Sequence, residues 1–387
     1  ESKKEFAKAF YSRWDKQNKT RWFLNMIVHF GDDDNIEEIK KDIDDFIKAK
    51  RYLVAANIVE AISLLNTKKA FQTVDYLQYK AKSGMVKKRA IEAINKAIIE
   101  LGITKDDFLD NLIQNYGFDS NGEYFVNYDD KKYIIKTDLN LNLKIKDENG
   151  KEYKSLPKAK TDNDKIEEKK FNKIKKDIKL QIQLQTIRFE NNFYFPRVWN
   201  LNKFKEIFVE NVIMKKFATS LIWGIYENDK PITTFRYNED GTFVNENDDE
   251  IKLSENIKTG IIHPVEIEEQ LLNKWKEQLK DYEIIQSFNQ LERLCKTFDF
   301  TKKIPLIALK TGLKNYNFEM NFTSKGFIFE KTFEYEKIKV KINYIENGID
   351  EVTIDKILFF KDGIELLSEN IPKRLLSEVY YYVNKIS

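Results

Sequence analysis

Cysteine is nearly absent from this sequence: Cys295 stands alone among 387 residues. That excludes an internal disulfide and any zinc cage built on thiolates. Set in NQLERLCKTF, the residue reads as a small core side chain rather than a nucleophile. Histidine is almost as scarce, with only His29 and His263. No HExxH or paired-histidine spacing exists, which argues against a zinc hydrolase. Walker A, GxGxxG and GxSxG patterns are missing too, and with them the usual phosphate cradles and the nucleophile elbow. No metal and no cofactor is expected. Gly 13 and Pro 6 are too few for a collagen-like or linker-dominated chain. No apolar run reaches the roughly 18 residues of a membrane span. The nearest, FATSLIWGIY at 217–226, is interrupted by Thr219, Ser220 and Gly224. No signal peptide is visible. A reducing, cytoplasmic setting without membrane contact is expected. The chain opens on Glu1-Ser2-Lys3, and it reads as a piece of a longer polypeptide whose other domains would be partners.

What is present suits a folded protein: 42% hydrophobic, 13% aromatic and 33% charged residues. The length allows two or three domains. Over 1–115 apolar residues recur at helical spacing. His29, in FLNMIVHFG, sits on or beside such a face and reads as a core histidine. Ile36, Ile39, Ile43, Phe46 and Ile47 follow Asp32-Asp33-Asp34, carboxylates that favour a helix N-terminus. Stripes over 53–65, 70–77 and 86–101 repeat the pattern. Gly102 closes the last, and Thr104 with Asp107 opens another helix. Short one-sided helices in succession predict a HEAT- or armadillo-like array over 1–115.

Over 116–300 the period switches to two and back. YFVNY, KYIIK and LNLKIKDENGKEYK read as hairpins, the last with Asn149-Gly150 at its tip. A long helix is expected from Lys165 and a second over 201–217. SLIWGIY, ITTFRY, IKLS and GII read as strands, and Pro264 starts a further helix. Over 301–387, NFEMNF, GFIFEKTFEY, KIKVKINY and EVTIDKILFF predict an antiparallel sheet covered by a final helix from Lys373. The class expected is α+β.

Chemistry has few footholds. His263, in GIIHPVEIEE, stands between a strand and a helix start, where active-site side chains often sit; a histidine there also serves to satisfy backbone groups. Residues 165–179 carry seven lysines. Lys169, Lys173 and Lys176 share a face opposite the apolar stripe, a candidate phosphate-facing surface. A plain solvated helix face gives the same pattern more often. Residues 227–256 hold nine acids, which repels nucleic acid. Within them, NEDGTFVNENDD at 238–249 is not an EF-hand: counting from Gly241, the first ligand position falls on Arg236 and the last on Asn247. The stretch repeats the plan of DSNGEYFVNYDD at 119–130, so both read as turns leading into strands.

An ordered series of blocks resembles the MolR-like family, domain of unknown function 4132. The blocks are Leu156-Pro157-Lys158, Gln185 with Arg188-Phe189-Glu190, Arg197 with Trp199, and Leu221-Ile222-Trp223-Gly224. Phe235-Arg236, Glu239-Asp240-Gly241-Thr242, Gly260-Ile261-Ile262-His263-Pro264 and Trp275 follow. Asp281-Tyr282-Glu283-Ile284, Gln286, Phe288, Gln290-Leu291 and Ser377-Glu378-Val379 complete the series. Ser287 departs from the proline common at its place. The resemblance supplies no catalytic residues. Members often stand C-terminal to a WGR module, and such modules are associated with nucleic-acid ends, which implies a nucleic-acid-linked role.

Two readings emerge. The first is an intracellular interaction or regulatory module of a larger MolR-like protein, binding a protein or nucleic-acid partner and more a binder than an enzyme. The alternative is an enzyme with a site around Glu190, Arg236, Asp240 and His263. In it Arg236 would hold an anion, His263 would be the acid or base, and the two acids would orient it or bind a metal.

Overall fold

The computed structural model describes residues 32–128, 131–137, 143–323, 326–333, 335–348 and 350–386. The helical reading of 1–31, His29 with it, and the Asp129-Asp130 turn lie outside the described residues. The chain forms two compact units that divide near 185: the first takes in Leu143–Gln185 with the helices and strands before it, the second runs from Thr186.

In the first unit α1 (Ile36–Lys48) buries Ile36, Ile39, Ile43 and Ile47 along one stripe. Each such burial is worth roughly 1.5–3 kcal/mol. α2 (Tyr52–Ser63), α3 (Lys68–Lys80), α4 (Gly84–Leu101) and α5 (Lys105–Asn111) follow. Their shared core includes Ala55, Val59, Ile62, Val74, Ala90 and Ile94. Local chemistry sets the ends. Thr67 and Thr104 accept the backbone N–H groups of Ala70 and Asp107, 3.1 Å each, at the starts of α3 and α5. Gly102, at φ +65°, closes α4.

An antiparallel sheet, ordered β1-β2-β3-β4, comprises β1 (Glu123–Tyr128), β2 (Lys131–Thr137), β3 (Leu143–Asp147) and β4 (Glu152–Tyr153). The turn before β1 is tied by Asp119, whose carboxylate accepts N–H groups of Asn121 and Glu123 at 2.9 Å. α6 (Asp162–Asn191) then begins three residues before the expected Lys165. The cause is a reciprocal cap: Thr161 Oγ1 accepts from Asp164 N, and Asp164 accepts from Thr161 N. Buried polar groups fix α6 within this unit. Lys69 Nζ pairs with Asp177 at 2.9 Å. Gln181 bonds both backbone groups of Gln114.

The second unit holds two sheets. The first, ordered β5-β9-β6-β7-β8 and antiparallel, comprises β5 (Val198–Asn200), β6 (Trp223–Glu227), β7 (Lys230–Tyr237), β8 (Phe243–Val244) and β9 (Lys258–Ile261). In place of one helix over 201–217 there are α7 (Leu201–Phe204), a π turn (Lys205–Glu210) and α8 (Lys215–Ser220). Asn211 causes the break, because its side chain accepts the N–H groups of Ile213 and Met214 at 3.1 Å. The IKLS stretch forms no strand; one bridge, Val244 to Glu250, precedes it. Pro264 starts a single 3-10 turn, and α9 (Glu269–Asp281) follows.

The second sheet runs β10 (Ile304–Pro305), β14 (Glu351–Lys361), β13 (Ile338–Glu346), β12 (Gly326–Phe333), β11 (Glu319–Thr323), with β15 (Ile364–Glu365) on β14. It shares a core with α10 (Leu306–Asn315) and α11 (Lys373–Ile386), which bury Leu309, Leu313, Leu375, Val379 and Val383. The class is α+β: an N-terminal helical region, then a mixed body. Cys295 is half-buried rather than core, with Asn384 Nδ2 2.9 Å from its sulfur.

Candidate functional site

His263 follows β9 and caps the 3-10 turn Pro264–Glu266. Its Nδ1 accepts the N–H of Val265 at 3.0 Å, and Glu266 reaches back to its own backbone N–H at 3.2 Å. Because Nδ1 is an acceptor, the proton of the neutral ring sits on Nε2. Nε2 therefore donates to Glu378 Oε1, 3.3 Å away on α11. Both side chains are fully buried, and Phe193 packs over the imidazole at 4.6 Å.

Arg293 completes the group. Its Nε donates to Glu378 Oε1 at 3.0 Å and its Nη2 to Oε2, a two-pronged pair. Nη1 reaches Glu190 at 3.4 Å. Burial pushes the Glu378 carboxyl up, but the His263 hydrogen bond and the Arg293 charge outweigh it and hold the group at about 2. Burial lowers His263, so the ring is neutral. The ensemble is one guanidinium, one carboxylate and one neutral imidazole, closed to solvent. Such an arrangement locks side chains together; it gives His263 no route to a proton on a solvent-borne substrate.

A second buried set adjoins it. Arg374, also on α11, donates to the carbonyls of Phe195 at 3.2 Å and Ile261 at 3.0 Å, and it contacts Tyr226 Oη and Glu266. Gln290, fully buried, accepts from Ile222 N and donates to the carbonyls of Ile222 and Ile262 at 2.7–2.9 Å. These bonds hold β6, the end of β9 and α11 in register.

Arg236 and Asp240 lie elsewhere. They line an open polar hollow of about 650 Å³ to which neither His263 nor Glu190 contributes. Arg236, near the end of β7, is 4% exposed. Its Nε donates to Gln278 at 2.8 Å, its guanidinium lies over Tyr282 at 4.8 Å, and Asp248 is 3.7 Å from Nη2. Asp240 is exposed and accepts from the backbone and hydroxyl of Thr242 at 2.9 and 2.7 Å. Those bonds, the hydroxyl's first, hold its carboxyl below the usual range. Gly241, at φ +95°, turns the chain as the Asp-Gly pair demands. So the four residues grouped by sequence fall into two pairs: Glu190 and His263, joined only through Arg293 and Glu378, and Arg236 and Asp240, which line the hollow.

On α6 the three lysines also differ. Lys173 pairs with Asp34 at the start of the helical array, while Lys169 and Lys176 are exposed. The face is not uniformly solvated. Glu378, Arg293 and Arg374 were not singled out as site residues by sequence reasoning, although Glu378 stands in a family-like block. Among the described residues no group of three His, Cys, Asp or Glu side chains is placed to hold a metal. None of their helices is long and apolar enough to cross a membrane.

Residues 150–302 match a family model, Domain of unknown function (DUF4132). The match takes in both pairs and Arg293 but stops short of Glu378 and Arg374. A relative, "Uncharacterized protein YehI" of Escherichia coli (strain K12), is 24% identical over 298 residues. The alignment covers 74% of this chain and 25% of YehI, so the chain spans about a quarter of that protein's length. No solved structure matches.

Proposed function

We propose that this chain is a binding module of a larger, MolR-like cytoplasmic protein, acting through contact with a protein partner rather than through catalysis. The observation that carries the reading is the sealed state of His263. Its two nitrogens are committed to Val265 and Glu378, and it is separate from Arg236 and Asp240. A protein partner is favoured over nucleic acid because Lys173 is neutralised by Asp34 and carboxylates outnumber cations in the wall of the large hollow. A WGR module elsewhere in the full-length protein, as the family resemblance implies, would supply any nucleic-acid contact separately.

The enzymatic reading retains one foothold, the hollow at Arg236. It is the weaker reading, because Asp240 is held below the ordinary carboxylate range and is a poor general base.

The test is photocrosslinking of the intact protein in its native cells, from exposed positions on α2, α4 and the β7–β8 turn. Crosslinks to a defined polypeptide, equal in wild type and in a folded His263→Gln variant, are expected. Crosslinks to nucleic acid alone, or loss of a measured turnover in His263→Gln, would overturn the reading.

A further inference from the structure

Lys331 carries a charge on the core face of its sheet. It stands on β12 opposite Val340 of β13, which is fully buried. Phe329 and Phe333, two residues to either side, belong to the core, and at a period of two all three side chains share that face. Among the described residues the ammonium has no hydrogen-bond or ion-pair partner. Three rings stand round it instead: Phe333, Tyr382 of α11 and Phe318, with centroids 4.5, 5.4 and 5.7 Å from Nζ. The slot still opens to water. The pairing of β11 with β12 ends at Glu330, one residue short of Lys331. The side chain is partly exposed, and Nζ is not one of the unpartnered polar atoms closed off from solvent.

An inward-pointing lysine beside an unpaired stretch of strand has a plain structural use: it guards against stray strand pairing, with its stem on the core and its amine in water. Such an amine keeps its ordinary pKa. Here the packing around the nitrogen pushes it down to about 8, while Glu378 pulls it up and Arg293 pushes it down in smaller measure. At pH 7.4 about one Lys331 in five is then unprotonated, against about one ordinary lysine in a thousand. Only the free amine has the lone pair that attacks carbon. The surroundings choose the electrophile. Rings on three sides leave room for a small head only. A keto acid would need a cation for its carboxylate, and the nitrogens of Arg293 are taken by Glu378 and Glu190. A product that keeps a positive charge faces the rings favourably, and the charge of Glu378 acts in the same direction.

We propose that Lys331 is a covalent acceptor for a small uncharged aldehyde, taken up as an imine in the ring-lined slot at the edge of the second sheet. Nζ attacks the carbonyl carbon and the C=O π pair moves to oxygen. Both amine protons leave with that oxygen as water when the C=N bond forms, and the imine nitrogen takes a proton from solvent. No oxidant or reductant is consumed. The site goes beyond the partner reading above and stands or falls apart from it.

Acetaldehyde with cyanoborohydride, which reduces the imine to a stable ethylamine, tests it on the intact wild-type protein, with ethylation of each lysine followed by peptide mass mapping. At pH 7.4 Lys331 is expected to react at least ~10-fold faster than Lys337 and Lys339, exposed lysines nearby in the chain. Its rate should level off above pH 8 while theirs still climb. In denaturing urea, where the rings no longer enclose it, the advantage should vanish. Lys331→Arg should remove the fast site and leave the slow ones unchanged. The edge-guarding role alone gives a lysine that labels as its exposed neighbours do. The proposal is overturned by a lead of less than ~10-fold over those neighbours, by a Lys331 rate still climbing at pH 10, or by an advantage that survives in urea. Because the decisive measurement is made on the wild type, a variant that misfolds does not blunt it.

Discussion

At the scale of single residues, Glu378 is the buried counter-charge of Arg293 and the hydrogen-bond partner of His263. Removing one partner of a buried pair leaves the other charge stranded, at about 3–5 kcal/mol. Glu378→Gln should therefore lower the urea midpoint steeply by stranding Arg293. The pH dependence has a definite sign. Glu378 is held at about 2 against an unfolded value of 4.5, so its stabilisation is whole above 4.5 and lost as pH falls toward 2. That loss is roughly 3 kcal/mol. His263 acts in the same direction: its folded value lies below 6.5, so stability starts to fall as pH drops past that point. Unfolding free energy measured from pH 7 to pH 3 should fall in two stages. His263→Gln should abolish the upper stage and Glu378→Gln the lower; a flat profile in wild type would contradict the assignment. The place of His263 between strand and turn was legible in GIIHPVEIEE. Its partner lies 115 residues further on, and no local spacing reveals a pair at that separation.

At the scale of elements, helix stripes and tight turns were read correctly where each signal was self-contained, as in α1 to α5 and the Asn149-Gly150 hairpin. Misreadings came from single polar side chains. Asn211 splits the helix expected over 201–217, and Thr161 with Asp164 starts α6 early. α10 went unread, for LIALKTGLKN lies among strands and buries only Leu309 and Leu313. Two glycines make a contrast. A Cβ on Gly260 would lie 2.5 Å from the carbonyl oxygen of Arg197, backbone that β5 cannot withdraw without losing its pairing to β9. Gly260→Ala should cost about 1–3 kcal/mol. A Cβ on Gly312 would press on the side chain of Ile386, at the end of α11, rather than on backbone; Ile386 packs against the core, so it yields only by a shift of that last turn. A helix-interior glycine also gives up about 0.5–1 kcal/mol to alanine, which offsets part of that clash, so Gly312→Ala should cost less than Gly260→Ala. Equal urea midpoints for the two variants would refute this account.

At the scale of the molecule, the division near 185 falls inside one continuous helix, which is why no linker or composition change announces it. Long-range polar contacts do the joining within each unit. In the first, Lys69→Met should leave Asp177 buried and unpaired, raising amide exchange across α3 and the adjoining stretch of α6. In the second, α11 supplies both Glu378 and Arg374. A chain stopped after Ile371 should leave β12 to β14 without protection in hydrogen exchange, whereas a full set of slow amides there would show that α11 only decorates the sheet.

The 85 residues between Arg293 and Glu378 also set a clock. At ordinary translation rates they take roughly 4–17 s to make. For that interval an arginine destined for a dry interior lacks its buried counter-charge, with only the partly exposed Glu190 already made, and the strands around it lack α11. The growing chain passes through a period of vulnerability whose length is written in the order of its elements.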